Sequence, residues 1–180
     1  MKKSGFTLVE LLAIIVVLAI IALLAVQAVL PALDKAKKQL FATEGQRAIE
    51  AAETYLITNS VTGANGFPTR GERCVSIETL IGEGYFDAKK GNYRGGVIVK
   101  NNSEQGSGNL ANNGQFMYVI LMTDGNYIME SFNGVTVDNV YDLSMLDGSE
   151  KIFGKDVKNL SREEKLEFVF NDFCKSHSRQ

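Results

Sequence analysis

The chain has 180 residues and a formal net charge of -2, from 19 Lys+Arg against 21 Asp+Glu. Its 45% hydrophobic content is concentrated before Leu33, which leaves residues enough for one modest polar domain. Without Lys2 and Lys3 the balance is 17 basic against 21 acidic residues. That mild acidity gives no electrostatic reason to expect nucleic acid or anionic lipid as a partner, and one histidine with two cysteines is a poor basis for a zinc site.

The N-terminus opens with Met1-Lys2-Lys3-Ser4-Gly5, then Phe6-Thr7-Leu8-Val9-Glu10, then unbroken apolar sequence from Leu11 to Val26. From Phe6 to about Leu30 the run is long enough to span a bilayer as a helix. Glu10 is anomalous there, because a carboxylate in a membrane helix is costly and implies a partner or a function. A secretory signal peptide could be cut at Val26-Gln27-Ala28, but its apolar core would be unusually long and would hold an acid. An ordinary signal anchor explains the hydrophobicity and leaves the acid unexplained. Lys2 and Lys3 on one side face Lys35, Lys37 and Lys38 on the other, so charge alone does not orient the segment.

The basic leader ending in Gly5, followed by Phe6-Thr7-Leu8-Val9-Glu10 and the apolar run, resembles the type III signal of type IV prepilins and pseudopilins. The resemblance is strongest from Met1 to about Leu33. It implies cleavage between Gly5 and Phe6 by a prepilin peptidase on the cytoplasmic side, and methylation of the new Phe6 amine. Glycine before the cut fits, since it lets the backbone approach a protease closely. The resemblance also implies a role for Glu10 in assembly. In a fibre its carboxylate can pair with the Phe6 amine of a neighbouring subunit, which offsets the desolvation an isolated charge would suffer. Many pilins have a helix-bending proline close to where this chain has Gln27. Here the proline is Pro31, so any bend should be displaced.

Leu33, Ala36, Leu40, Ala48, Ala52, Tyr55 and Leu56 recur at three- and four-residue intervals, which predicts one buried face of a continuing helix. Asp34, Lys37, Lys38, Glu44, Arg47 and Glu50 populate the other face, and Asn59-Ser60 with Gly63 mark the end. A helix from Phe6 to Thr58 would be roughly 80 Å long. Val61 to Arg73 reads as a loop. Ser76 to Ile81 reads as a short helix ended by Gly82 or Gly84, with Tyr85-Phe86 packing after it, similar to a turn found after the long helix of many Gram-positive pilins. Gly96 to Lys100 and Phe116 to Thr123 read as strands, with a surface loop from Asn101 to Gln115. Asp124-Gly125-Asn126 is a hairpin turn signal, Tyr127 to Phe132 returns, and Val135-Thr136-Val137 offers a short fourth strand. Ser161-Arg162-Glu163-Glu164 fits a capping box ahead of a helix with a Leu166, Val169, Phe170 and Phe173 stripe.

Cys74 and Cys174 can form a disulfide if the domain is exported; two free thiols are the alternative. The bond would close a loop of about 100 residues, for which chain entropy predicts roughly 4–5 kcal/mol. A crosslink at the C-terminal region also fits the pilin resemblance. His177 stands in a polar tail with no catalytic companions, so no nucleophilic set can be assembled. Asp138, Asp142, Asp147 and Glu150 lack the ligand spacing of a calcium loop, and Gly106-Ser107-Gly108 lacks the context of a phosphate loop. No metal or cofactor is expected.

The expected fold is α+β and pilin-like: a long N-terminal helix, its second half packed on a small antiparallel sheet, and a C-terminal helix. The expected organisation is a leader at 1–5, a membrane or fibre-core segment at 6–33, an amphipathic half-helix at 34–60 and a head at 61–180. The resemblance implies a structural subunit, not an enzyme. Its partners would be other pilin subunits, the prepilin peptidase, the assembly platform with its ATPase, and membrane lipid before assembly. Its location would be the cell membrane, leader inside and head outside, and then an extracellular fibre or pseudopilus. A membrane-anchored surface binding domain that never polymerises is the alternative.

Overall fold

The computed structural model describes residues 7–61, 66–69, 71–87, 91–101, 116–132, 134–146, 151–152, 155–156, 158–170 and 173–176. The chain divides into two compact units, Met1–Lys37 and Lys38–Gln180. The first helix, α1 (Leu8–Val61), supplies residues to both.

In the first unit apolar residues fill nearly every position, so the helix has no polar face to give to water. Every large aliphatic side chain from Leu8 to Leu33 is at least 47% exposed. Among the described residues, α1 is the one helix long and apolar enough to cross a membrane by length and composition. Surface of this kind costs about 25 cal/mol per Å² in water, which calls for lipid or other helices as cover. The helix runs on through Pro31, at the cost of one backbone hydrogen bond.

The second unit is built on a five-stranded antiparallel sheet. Its strands are β1 (Glu72–Ser76), β2 (Arg94–Asn101), β3 (Phe116–Thr123), β4 (Tyr127–Phe132) and β5 (Val140–Asp142). They lie side by side in sequence order, so every connection joins spatial neighbours. Between β1 and β2 the chain forms α2 (Ile77–Gly82), capped by Ser76, whose hydroxyl accepts from the Thr79 amide at 3.1 Å. Two further helices, α3 (Arg162–Phe170) and α4 (Phe173–Ser176), end the chain's described part, after a two-stranded ladder of β6 (Lys151–Ile152) and β7 (Lys155–Asp156).

Both faces of the sheet are covered, which explains why β3 is apolar at every position but its last. On one face Val97, Val99, Ile120, Met122 and Met129 pack with Phe41, Ala48, Ala52 and Leu56 of α1. On the other, Ile98, Leu121 and Ile128 pack with Val169, Phe170 and Phe173 of the C-terminal helices. Successive strand residues point to opposite faces, so one strand feeds two cores. Small residues let α1 come close. A Cβ added at Gly45 would stand 2.4 Å from the Met129 sulfur.

Three expectations need correction. Leu33, Ala36 and Leu40 are exposed, and the buried stripe of α1 begins instead at Phe41, whose ring meets Tyr127 at 6.0 Å. Leu40 and Phe41 are a single step apart on the helix, and the larger aromatic takes the docked position. The supposed loop to Arg73 already contains the start of β1. Val135-Thr136-Val137 is not a strand: Thr136 donates through its amide and hydroxyl to Asn139 Oδ1, at 3.2 and 2.6 Å, and the chain winds into a 3-10 turn over Val137–Asn139. Such local side-chain bonds outcompete a sheet ladder. The last strand of the five-stranded sheet follows it, at Val140–Asp142.

Candidate functional site

Leu8 is the first residue of α1, so Thr7 stands at the N-cap position and Glu10 at the third helical position. The Thr7 amide donates to Glu10 Oε2 at 2.9 Å, and the Thr7 hydroxyl donates to the same oxygen at 2.8 Å. In return the Thr7 hydroxyl accepts from the Glu10 amide at 3.4 Å. This is a capping box, in which threonine and glutamate satisfy each other's otherwise orphaned donors. A negative charge here also faces the positive end of the helix dipole.

The two carboxylate oxygens are not equivalent. Oε2 holds both Thr7 donors, while Oε1 has no donor among the described residues. The box therefore orients the carboxylate and leaves one oxygen able to accept from another group. Gly5 and Phe6 lie outside the described residues, and so do His177, Asp147 and Glu150.

The family described as the prokaryotic N-terminal methylation motif matches residues 1–26. The chain carries the type IV prepilin signal. The matched segment contains Gly5, Phe6, Thr7 and Glu10. No curated protein and no solved structure matches the chain.

Away from the prepilin signal, the second unit is pinned by a Cys74–Cys174 disulfide with a Cα–Cα distance of 5.1 Å. It ties β1, an edge strand of the sheet, to α4 on the face opposite α1. Gly95 and Gly96 mark two close approaches on β2, the first to the β3 backbone and the second to the disulfide. Gly95 has φ +124°, and a Cβ there would lie 2.0 Å from the Leu121 carbonyl oxygen. At Gly96 a Cβ would lie 2.6 Å from Cys174 Sγ and 3.1 Å from Cys74 Sγ. The disulfide thus lies directly over the β2 backbone.

A second capping box starts α3. The Ser161 amide and hydroxyl donate to Glu164 Oε2 at 2.8 and 2.7 Å, and these bonds hold the Glu164 carboxyl below its usual range. In the α1-facing core, burial and the nearby Glu53 carboxylate push the Tyr118 phenol up to about 12. Asp138 is exposed and Asp142 accepts from the Ser144 amide at 2.8 Å, a turn contact. Among the described residues no group of three or more His, Cys, Asp or Glu is placed to hold a metal.

Thr7 is the functional residue that sequence reasoning passed over. Its signal was present: Thr7-Leu8-Val9-Glu10 has the same S/T-x-x-E spacing as Ser161-Arg162-Glu163-Glu164. Glu10 is read there with a partner on a neighbouring subunit, and its nearer partner, three residues away in the same chain, is left out.

Proposed function

We propose that this prepilin is cut between Gly5 and Phe6 by a prepilin peptidase, methylated on the Phe6 amine, and polymerised through α1 into a type IV pilus or related pseudopilus. The carrying observation is the Glu10 carboxylate, with Oε2 held by Thr7 and Oε1 without a donor among the described residues. A positive amine from a neighbouring Phe6 is the complement such an oxygen can accept. The amine exists only after cleavage, so processing would switch on assembly.

Before assembly the 6–33 segment is held in lipid, with the leader in the cytoplasm and the head outside. An assembly platform and its ATPase would extract it, and helix–helix contacts would replace lipid around the exposed leucines, isoleucines and valines. Residues 34–60 then continue the helix into the head at 61–180, whose disulfide suits an oxidising exterior. The protein acts as a building block and as a substrate of the peptidase.

The test is Glu10→Ala. Membrane insertion and cleavage should persist, and incorporation into sheared fibres should fall below detection. Wild-type incorporation of the variant would remove Glu10 from the assembly contact.

A further inference from the structure

On the sheet face away from α1, the C-terminal helices leave part of the surface open. Val169 and Phe173 border a cleft of about 280 Å³ whose floor is Ile98, Val119 and Leu121. Phe132 stands at its mouth and is 63% exposed, unlike the buried core beside it. Glu130 also lines the cleft. The register sets Glu130 opposite Leu121 and Phe132 opposite Val119, so the carboxylate is surrounded by hydrocarbon. Among the described residues, Glu130 has no hydrogen bond and no ion pair. The other charges lining the cleft, Glu72 and Lys100, stand opposite each other on β1 and β2 and balance. Among the described residues one negative charge remains uncompensated.

A half-buried carboxylate without a partner is an expense, and burial alone pushes Glu130 above the usual carboxylate range. Each kind of occupant meets a different fate here. An anion would be repelled. A purely apolar group would bury Glu130 further and leave it unpaired, which is unfavourable. A divalent metal needs several oxygens, and one carboxylate does not supply them. A long cationic side chain suits the site at both ends: its methylenes can lie on Val119 and Leu121, and its charged tip can reach the acid. Phe132 adds a ring face for the cation or for a flanking apolar residue. The volume lies just under the roughly 300–1,000 Å³ of small-molecule pockets and suits a single inserted side chain. An exposed aromatic at the rim is typical of a protein contact.

We propose that this cleft is a docking site for a partner protein that inserts a lysine or arginine side chain against Glu130, with a flanking apolar residue on Phe132. The proposal stands apart from polymerisation through α1, because every residue in it belongs to the head.

The probe is an acetylated, amidated pentapeptide, Gly-Leu-Lys-Leu-Gly, added to the full chain in detergent micelles and followed by methyl NMR. The expected result is saturable shifts at Ile98, Val119 and Leu121 but not at Val99 or Ile120, which face α1. Replacing the peptide's lysine by norleucine should weaken binding about tenfold, the scale of one charge-assisted hydrogen bond. Glu130→Gln should do the same, with Val99 and Ile120 signals unmoved to show an intact fold. Phe132→Ser should weaken both the lysine and norleucine peptides. Equal binding of the two peptides, or no loss in Glu130→Gln, would overturn the role of the acid. Binding of acetyl-lysine methylamide as tight as the pentapeptide would overturn the protein partner in favour of a small amine. No saturable shift would overturn the site.

Discussion

Gly96→Ala is a strong test of how the head is locked. The added methyl would lie 2.6 Å from Cys174 Sγ, 3.0 Å from the Val75 carbonyl oxygen and 3.1 Å from Cys74 Sγ. Carbon and its neighbours rest near 3.5–4.0 Å, so three atoms must yield at once. None is the free end of a flexible chain: two are joined in a disulfide and one is strand backbone. The cost should fall in the range of about 1–3 kcal/mol for overpacking a core. In a Cys74→Ala, Cys174→Ala background both sulfurs are gone and only the Val75 contact remains, so the same substitution should cost about 1–2 kcal/mol less, a coupling of the size seen between touching residues. Gly82→Ala is the control, since nothing lies within 4 Å of a Cβ there. It should be neutral or slightly stabilising. Urea unfolding of the head, read by circular dichroism in all four backgrounds of the cycle, gives the coupling. Equal costs with and without the disulfide would refute the claim that the bond lies against Gly96.

Two predictions concern titration. Tyr118 should ionise near 12 in an ultraviolet pH titration, against 10.0 for the free side chain, and Glu53→Gln should lower that value while leaving the part due to burial. Because folding raises this pKa, the stability contribution is whole below 10 and is lost as pH rises through 12. Glu164 behaves in the opposite sense. Folding lowers its pKa, so its contribution is present above the usual carboxylate range and is lost as pH falls through the lowered value. Ser161→Ala should cost about 1 kcal/mol at neutral pH, the usual scale for a lost N-cap, and the difference from wild type should shrink in acid. A constant difference across the acid range would refute the carboxylate's share in the cap.

Much of the fold can be read from the chain because strong periodic signals sit where packing uses them. The bounds of β3 and β4 follow from apolar runs around Asp124-Gly125-Asn126, where Gly125 has φ +90° and Asp124 Oδ1 accepts from the Asn126 and Tyr127 amides at 2.8 Å. The Ser161 cap and the Val169, Phe170 and Phe173 stripe are local patterns as well. What escaped is non-local. β1 reads as polar loop because Arg73 and Cys74 are used on opposite faces, and only pairing with β2 makes them a strand. Gly95 and Gly96 have no local signature, since Gly95 is fixed by the Leu121 backbone on β3 and Gly96 by a sulfur 78 residues away in Cys174. Likewise, Glu130 looks like any outward strand residue until Val169 and Phe173 border the hydrocarbon beside it.

At the N-terminus the signal fixes residue types at short spacing, and physical chemistry supplies the reason for each. Under the proposed processing glycine permits backbone approach at the cut; threonine caps the helix, and glutamate completes the box with a second oxygen that has no donor among the described residues. The most direct test of the account is the intact mass of protein extracted from membranes of a host with an active prepilin peptidase. The expected mass lacks Met1 to Gly5 and carries one added methyl group on the Phe6 amine. Retention of Met1 to Gly5 in that host would contradict it.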